Sequence, residues 1–174
     1  MTEPSLHRFV VAHDRSAVLF AARSNVGPVS FGTTAVRGTI DVAVTHGVID
    51  LSVQPAARLE VEMETLTSGN SLYDVELQRR VDARRYPTTA IDLVDVEDVG
   101  GGRFVLRGAV TFHGVRREMA GTVALTFPNP QTLSIVGDHA LDIRDFGIAV
   151  PSMLMLKIFP DVRVALQLEA DLAQ

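Results

Sequence analysis

Apolar and polar residues alternate along most of the chain, which is the pattern of strands buried on one face. In the first clear run Val18, Phe20 and Ala22 alternate with Ala17, Leu19 and Ala21. Val36, Ile40, Val42 and Val44 then alternate with Arg37, Thr39, Asp41 and Thr45; His46-Gly47 makes a turn, and residues 48–53 return. Leu59, Val61 and Met63 take one face of the next strand, and Glu60, Glu62 and Glu64 take the other, which must look at water. The segment TAIDLVDVEDV leads to the flexible turn Gly100-Gly101-Gly102. Residues 108–127 read as two strands joined at a bend. Val110, Phe112, Met119, Val123, Leu125 and Phe127 lie on one face, and Thr111, His113, Thr122 and Thr126 on the other. Pro128-Asn129-Pro130 turns the chain into a strand carrying Leu133, Ile135, His139 and Leu141. Residues 161–172 form the last strand, with Val162, Val164, Leu166 and Leu168 opposite Arg163, Gln167 and Glu169.

One segment breaks the two-residue period. In SLYDVELQRRVDARRYP, Tyr73, Leu77 and Val81 lie four apart, a helical stripe. Ser71 reads as the cap and Pro87 as the stop, so a helix is expected near residues 72–83. About eight to ten amphipathic antiparallel strands must each bury one face, which a sandwich or a closed barrel accomplishes. Long neighbouring strands joined by short turns favour an up-and-down barrel. No repeat, linker or low-complexity stretch divides the chain, so one domain over residues 1–174 is expected.

Composition narrows the function. Of 174 residues, 47% are hydrophobic and the net charge is −5, too acidic for a nucleic-acid binder. Cysteine is absent, which removes disulfides, thiolate chemistry and Cys-based metal sites. The start, MTEPSLHRFVVAHD, lacks the charged and apolar regions of a signal peptide, and no apolar run is long enough for a transmembrane segment. A cytoplasmic protein is therefore expected.

The order and spacing of four segments resemble the YceI-like family of lipocalin-like barrels. HDRSAVLFAARSNVGPVSFGTTAVRGTIDV is similar to the family's opening, and TSGNSLYDVELQRRVDARRYPTTAIDL to its helix closed by Tyr-Pro. LRGAVTFHGVRREMAGTV resembles its G-x-L-x-h-x-G-h-x-x-x-h segment, where h is hydrophobic, and LDIRDFGI its Asp-Phe-Gly ending. The resemblance implies a mostly β fold: one closed antiparallel up-and-down barrel of about eight strands, holding a long isoprenoid or other lipid chain. It also implies a homodimer. The chain departs from the family at Tyr73-Asp74, where Arg-Asp is usual, and at Val81-Asp82, where aromatic residues are usual. The arginine usually found two residues before the Asp of Asp-Phe-Gly is replaced by Ile143, with Arg144 one place later. A one-residue shift along a strand sends a side chain to the opposite face.

An eight-stranded barrel is about wide enough for its own side chains or for one slender ligand. The expected inward residues are Val18, Phe20, Ala22, Ile40, Val42, Val61, Met63, Leu106, Val110, Val123, Leu125, Ile135, Val164 and Leu166. They are small or medium in size, and there is no Trp. Such walls suit a flexible aliphatic chain better than a flat aromatic cofactor, so no cofactor is expected. Composition alone leaves a filled barrel equally open; the resemblance favours a cavity. Phe112, His139 and Phe146 complete the expected lining. AVPSMLMLKIFP, apolar on all sides, reads either as a flap bringing Met153 and Met155 to the ligand or as a buried connection. Arg79, Arg80, Arg84 and Arg85 read as a solvated helix end rather than an anionic anchor.

Catalytic and metal chemistry find little here. The histidines at 7, 13, 46, 113 and 139 show no ligand spacing, so no metal is expected. No G-x-S-x-G or phosphate loop occurs. Asp142 and Asp145 would face opposite ways on a strand, and Asp145 reads as the cap of the Phe146-Gly147 turn. The expectation is a binding protein that is not an enzyme. The alternative is an enzyme acting on an apolar substrate, with His139 or Asp145 as acid or base.

Overall fold

The computed structural model describes residues 4–149, 152–153 and 156–174, with backbone alone at 152, 153 and 156. Its strands are β1 (Leu6–Val11), β2 (Ala17–Ser24), β3 (Gly27–Thr33), β4 (Val36–Thr45), β5 (Val48–Asp50) and β6 (Ala56–Glu62), then helix α1 (Ser71–Arg80). There follow β7 (Thr88–Gly100), β8 (Arg103–Phe112), β9 (Val115–Asn129), β10 (Thr132–Asp142), β11 (Ser152–Met153) and β12 (Leu156–Leu172).

The sheet runs β1-β4-β6-β7-β8-β9-β10-β12, and β12 pairs back onto β1 through Phe9↔Leu172 and Val11↔Ala170. β2 continues β1 along β12, with Gln167↔Ala17 next in the ladder, and β3, hairpinned on β2, runs into β4. These four segments are two long kinked strands, and the whole is a closed eight-stranded antiparallel barrel. Ser16 holds the first kink. Its buried hydroxyl donates to the Ala12 carbonyl at 2.7 Å and accepts from the Glu169 N–H at 3.0 Å. Thr33 holds the second, its Oγ1 accepting from Ala35 N–H at 2.9 Å.

Two strands differ from the sequence expectation. β1 carries the apolar Leu6 and Val10 on its exposed face as well as buried Phe9 and Val11, so its alternation is masked. β3 contains Gly27, Pro28 and Gly32, which interrupt any alternation, yet Val29, Phe31 and Thr33 point inward. The returning strand after His46-Gly47 is only β5, shorter than residues 48–53. His46 and His113 each precede a glycine with both residues at positive φ, the geometry of tight hairpin turns.

The helix expected near residues 72–83 is present, with different ends. Asn70, not Ser71, is its cap: Asn70 Oδ1 accepts from Leu72 N–H at 3.0 Å and Tyr73 N–H at 3.3 Å. The last helical residue is Arg80, and a turn with Asp82 at φ 50° ends the helix before Pro87 is reached. Pro87 instead accepts the Met63 N–H at 2.9 Å, closing the base of the excursion between β6 and β7.

The outward faces of the first strands are knitted by charge. Arg8 pairs with Asp41, Arg37 with Glu60 and Glu62, and Arg58 with Asp92. Glu60 and Glu62 face outward as expected, but they meet arginines of neighbouring strands rather than bare water. Exposed to solvent and screened by salt, each pair adds little to stability. The Arg37 hydrogen bond holds Glu60 below the usual carboxylate range, and Arg8 does the same for Asp41. A carboxylate lowered in the folded state stabilises it above the unfolded pKa, and that stability is lost as pH falls through the lower folded value. Arg37→Met is therefore expected to lower the urea midpoint at about pH 6, with the gap to the parent narrowing below about pH 4. Urea titrations across that range check this; a gap constant down to about pH 2.5 contradicts the assigned pairing.

Candidate ligand-binding cavity

The barrel interior is not full. A cavity of about 220 Å³ lies within it, walled almost wholly by apolar side chains. The cause is legible strand by strand. On β8, β9 and β10 the inward positions include Gly108, Gly121 and Gly137, which lie on a diagonal across the sheet, each two residues out of register with the next: Gly108 faces Met119, Leu106 faces Gly121, and Val123 faces Gly137. Three neighbouring inward positions thus carry no side chain. At Gly137 none fits, since a Cβ would lie 2.7 Å from Val123 Cγ1 and 3.0 Å from the Thr122 carbonyl oxygen.

A second chamber of about 100 Å³ lies toward the helix, where Tyr73, Leu77 and Val81 bring the predicted stripe into its wall. Phe20, Phe112 and Leu141 line both chambers and form the partition between them. Phe146, 1% exposed, stacks obliquely on Phe112 with ring centroids 5.4 Å apart. His113 Nδ1 lies 3.1 Å from the Phe146 carbonyl oxygen, and Tyr86 packs edge-on against His113 at 5.1 Å. The partition is therefore braced from outside the barrel.

Of the residues expected to line a cavity, Val18, Phe20, Ile40, Val42 and Val61 lie in the wall of the main chamber. So do Leu106, Val110, Phe112, Val123 and Leu125 on the central hairpin, and Ile135, His139, Val164 and Leu166 on the last strands. Ala22 and Met63 line the smaller chamber instead. Phe146 is placed otherwise: it sits in a 3-10 turn behind Phe112 and lines neither chamber. Met155, and the side chain of Met153, lie outside the described residues.

The sequence reading missed Ile49, Leu51 and Pro55, contributed by the β4–β5 hairpin and the loop after it, where alternation stops. It also assigned no face to β7. There Leu93 and Val96 both line the main chamber although they differ in parity, because a bulge interrupts the ladder between Leu93 and Asp95. The three inward glycines were readable only as gaps in the alternation.

The chemistry of the cavity is sparse. His139 reaches its wall, and Thr89 spends its hydroxyl on Met63 Sδ at 3.1 Å. The turn after β10 is capped by Asp142, not Asp145: Asp142 Oδ1 accepts from Arg144 N–H at 2.9 Å. Hydrogen bonding from Arg144 holds the Asp142 carboxyl below the usual range, and Arg144 itself is exposed, while Ile143 is buried in the second core. Glu76 takes both Arg79 and Arg80, and Arg85 lies over the Tyr86 ring. Among the described residues, no group of three His, Asp or Glu side chains could hold a metal, and no helix is long and apolar enough to cross a membrane.

A meander of eight strands closed around an apolar hollow, with one helix set over an end of it, defines a lipocalin-like barrel. The YceI-like domain model matches residues 9–170, and the chain belongs to that family. Among solved structures it is similar to BcnA of Burkholderia cenocepacia, with TM-score 0.79 and 16% identity over 92% of this chain and 99% of that one. It is also similar to a polyisoprenoid-binding domain from Saccharophagus degradans, with TM-score 0.70 and 11% identity over 97% and 99% of the two chains. A third likeness is the YceI protein of Campylobacter jejuni, with TM-score 0.65 and 14% identity over 80% and 82%. At these identities the likenesses establish the shared fold. Among curated proteins none matches the chain.

Because Phe112 divides the two chambers, Phe112→Ala is expected to join them. Denaturant unfolding should show a loss of about 3–5 kcal/mol, and competition between apolar probes of different length should shift toward the longer ones. An unchanged length preference in a folded variant would show that Phe112 is no partition.

Proposed function

We propose that this barrel holds a single long apolar chain, an isoprenoid or fatty-acyl lipid, for carriage or sequestration, and performs no reaction on it. The observation that carries the reading is the void itself. An apolar hollow of about 220 Å³ costs the fold on the order of 5 kcal/mol relative to a filled core. Hydrophobic walls around a void this size give water few partners and a hydrocarbon many. Each methylene that enters contributes roughly 0.8 kcal/mol. A chain of roughly fifteen carbons gains on the order of 10 kcal/mol before the entropy of ordering it is subtracted. The likeness to a polyisoprenoid-binding domain supports the same class of ligand.

The enzymatic alternative rests on His139 and Asp145. The Asp145 side chain is exposed, while its carbonyl oxygen accepts from Arg117 Nε at 3.1 Å. No nucleophile–base hydrogen bond of the kind acyl or group transfer needs involves either residue among the described contacts.

Native mass spectrometry of the purified protein should show mass added by co-purifying lipid, and delipidated protein should take up a fluorescent fatty acid in equimolar amount. Bare chain mass together with no uptake would refute the reading. Gly121→Leu, which fills the hollow from its wall, should reduce the uptake at saturation.

A further inference from the structure

A closed barrel offers a chain two kinds of route, through an end or through the wall, and an intact wall would admit nothing. The sheet is not intact everywhere. Between β9 and β10 the ladder runs from Thr132↔Asn129 to Gly137↔Val123 and stops there. Both strands go on. β10 keeps its pairing with β12 as far as Asp142↔Asp161, and β9 keeps its pairing with β8 down to Val115↔Phe112. Hence β9 from Val115 to Thr122 and β10 from Asp138 to Asp142 are each hydrogen-bonded on one side only, among the described residues, and their facing edges form no rungs.

The parting is bounded at both ends. At one end Gly137 lets the two strands approach so closely that any side chain there would collide with Val123. At the other, Arg117 on β9 donates to the Asp145 carbonyl oxygen and ties β9 to the turn after β10. Between these two ties the strands form no rung: the backbones stay close at Gly121, where a built Cβ lies 3.7 Å from His139 Cβ, and beyond it Met119 and Leu141 close the wall. Outside the parting lies a notch of about 450 Å³. Met119, His139 and Leu141 line both this notch and the main chamber, so the same three side chains separate lipid-sized space from solvent. The chamber wall also includes Thr122 and Asp138, which adjoin Gly121 and Gly137, where no inward side chain covers the backbone.

We infer that this seam is the door through which the apolar chain enters and leaves, with Met119, His139 and Leu141 as its leaves. The inference rests on the binding function proposed above and adds the route. Opening it breaks no rung of the ladder; it swings Met119, an adaptable apolar side chain, and His139 aside and moves apart two strand segments that are not paired to each other. Access at the helical end would instead require displacing α1, whose Gln78 side chain donates to the Met63 carbonyl at 2.9 Å and whose Val81 is buried.

The seam can be locked. A Cβ built on Gly121 lies 3.7 Å from His139 Cβ, inside the roughly 3.5–4.5 Å range of disulfides. The chain has no cysteine of its own, so the double variant Gly121→Cys/His139→Cys forms one defined crosslink. Stopped-flow fluorescence with cis-parinaric acid compares oxidised and reduced forms of the same protein. Oxidation should slow loading and release together by at least about tenfold, and dithiothreitol should restore both. A crosslink that merely spoiled the cavity would speed release and leave loading alone. Equal loading rates in the two forms overturn the door, while a reduced form and a parent protein that both ignore the probe overturn the binding function as well. If the cysteine pair disturbs folding, His139→Ala decides: a door predicts faster loading and faster release, and unchanged loading refutes it.

Discussion

Everything in this protein follows from the closure of one sheet. When β12 pairs back onto β1, the sheet closes on itself, and the diameter of the cylinder is set by strand number and tilt rather than by the side chains inside. The interior must then be filled from the wall. Where inward residues are Phe9, Leu133 and Leu168, it is filled, and these are among the most deeply buried side chains of the molecule. Where three adjacent strands present Gly108, Gly121 and Gly137, it is not. The sheet cannot shrink to close the gap, because its backbone ladder fixes the circumference.

The same constraint explains the unequal ends. One core cluster gathers around Phe9, Val36, Ile40 and Leu133, and a second around Met63, Val81, Phe112 and Phe146. The second cannot be completed by strands alone. The excursion from Met63 to Pro87 leaves the barrel, forms α1 and returns, bringing Leu77 and Val81 onto the open end. The exterior takes a different solution: arginines and carboxylates on neighbouring strands pair across the ladder, which supplies solubility and register at little cost in packing.

Closure also explains why an interruption in the ladder matters. In an open sheet a frayed pair of strands is ordinary. In a barrel it weakens the only wall, and here the interruption falls beside Gly121 and Gly137, where His139 lies against Gly121.

The sequence by itself determined the class of fold. Strict alternation in β4, β6, β8, β9 and β12 dictates which side chains face inward, because neighbouring residues of a strand must point oppositely, and the four-residue spacing of Tyr73, Leu77 and Val81 dictates the helix. Most of the main chamber's wall was readable from that parity. What it did not reveal depends on neighbours distant in the chain. β1 and β3 are strands because β12 and β2 pair with them, not because of their own pattern. Asn70 caps the helix because backbone geometry placed it one residue before the turn that Ser71 begins. Phe146 faces Phe112 from outside because a 3-10 turn reverses its direction. The bulge that turns both Leu93 and Val96 inward, the alignment of three glycines into one hollow, and the rung at which β9 and β10 part all arise from pairing between strands. Local periodicity carries no information about such pairing; only the tertiary ladder decides it.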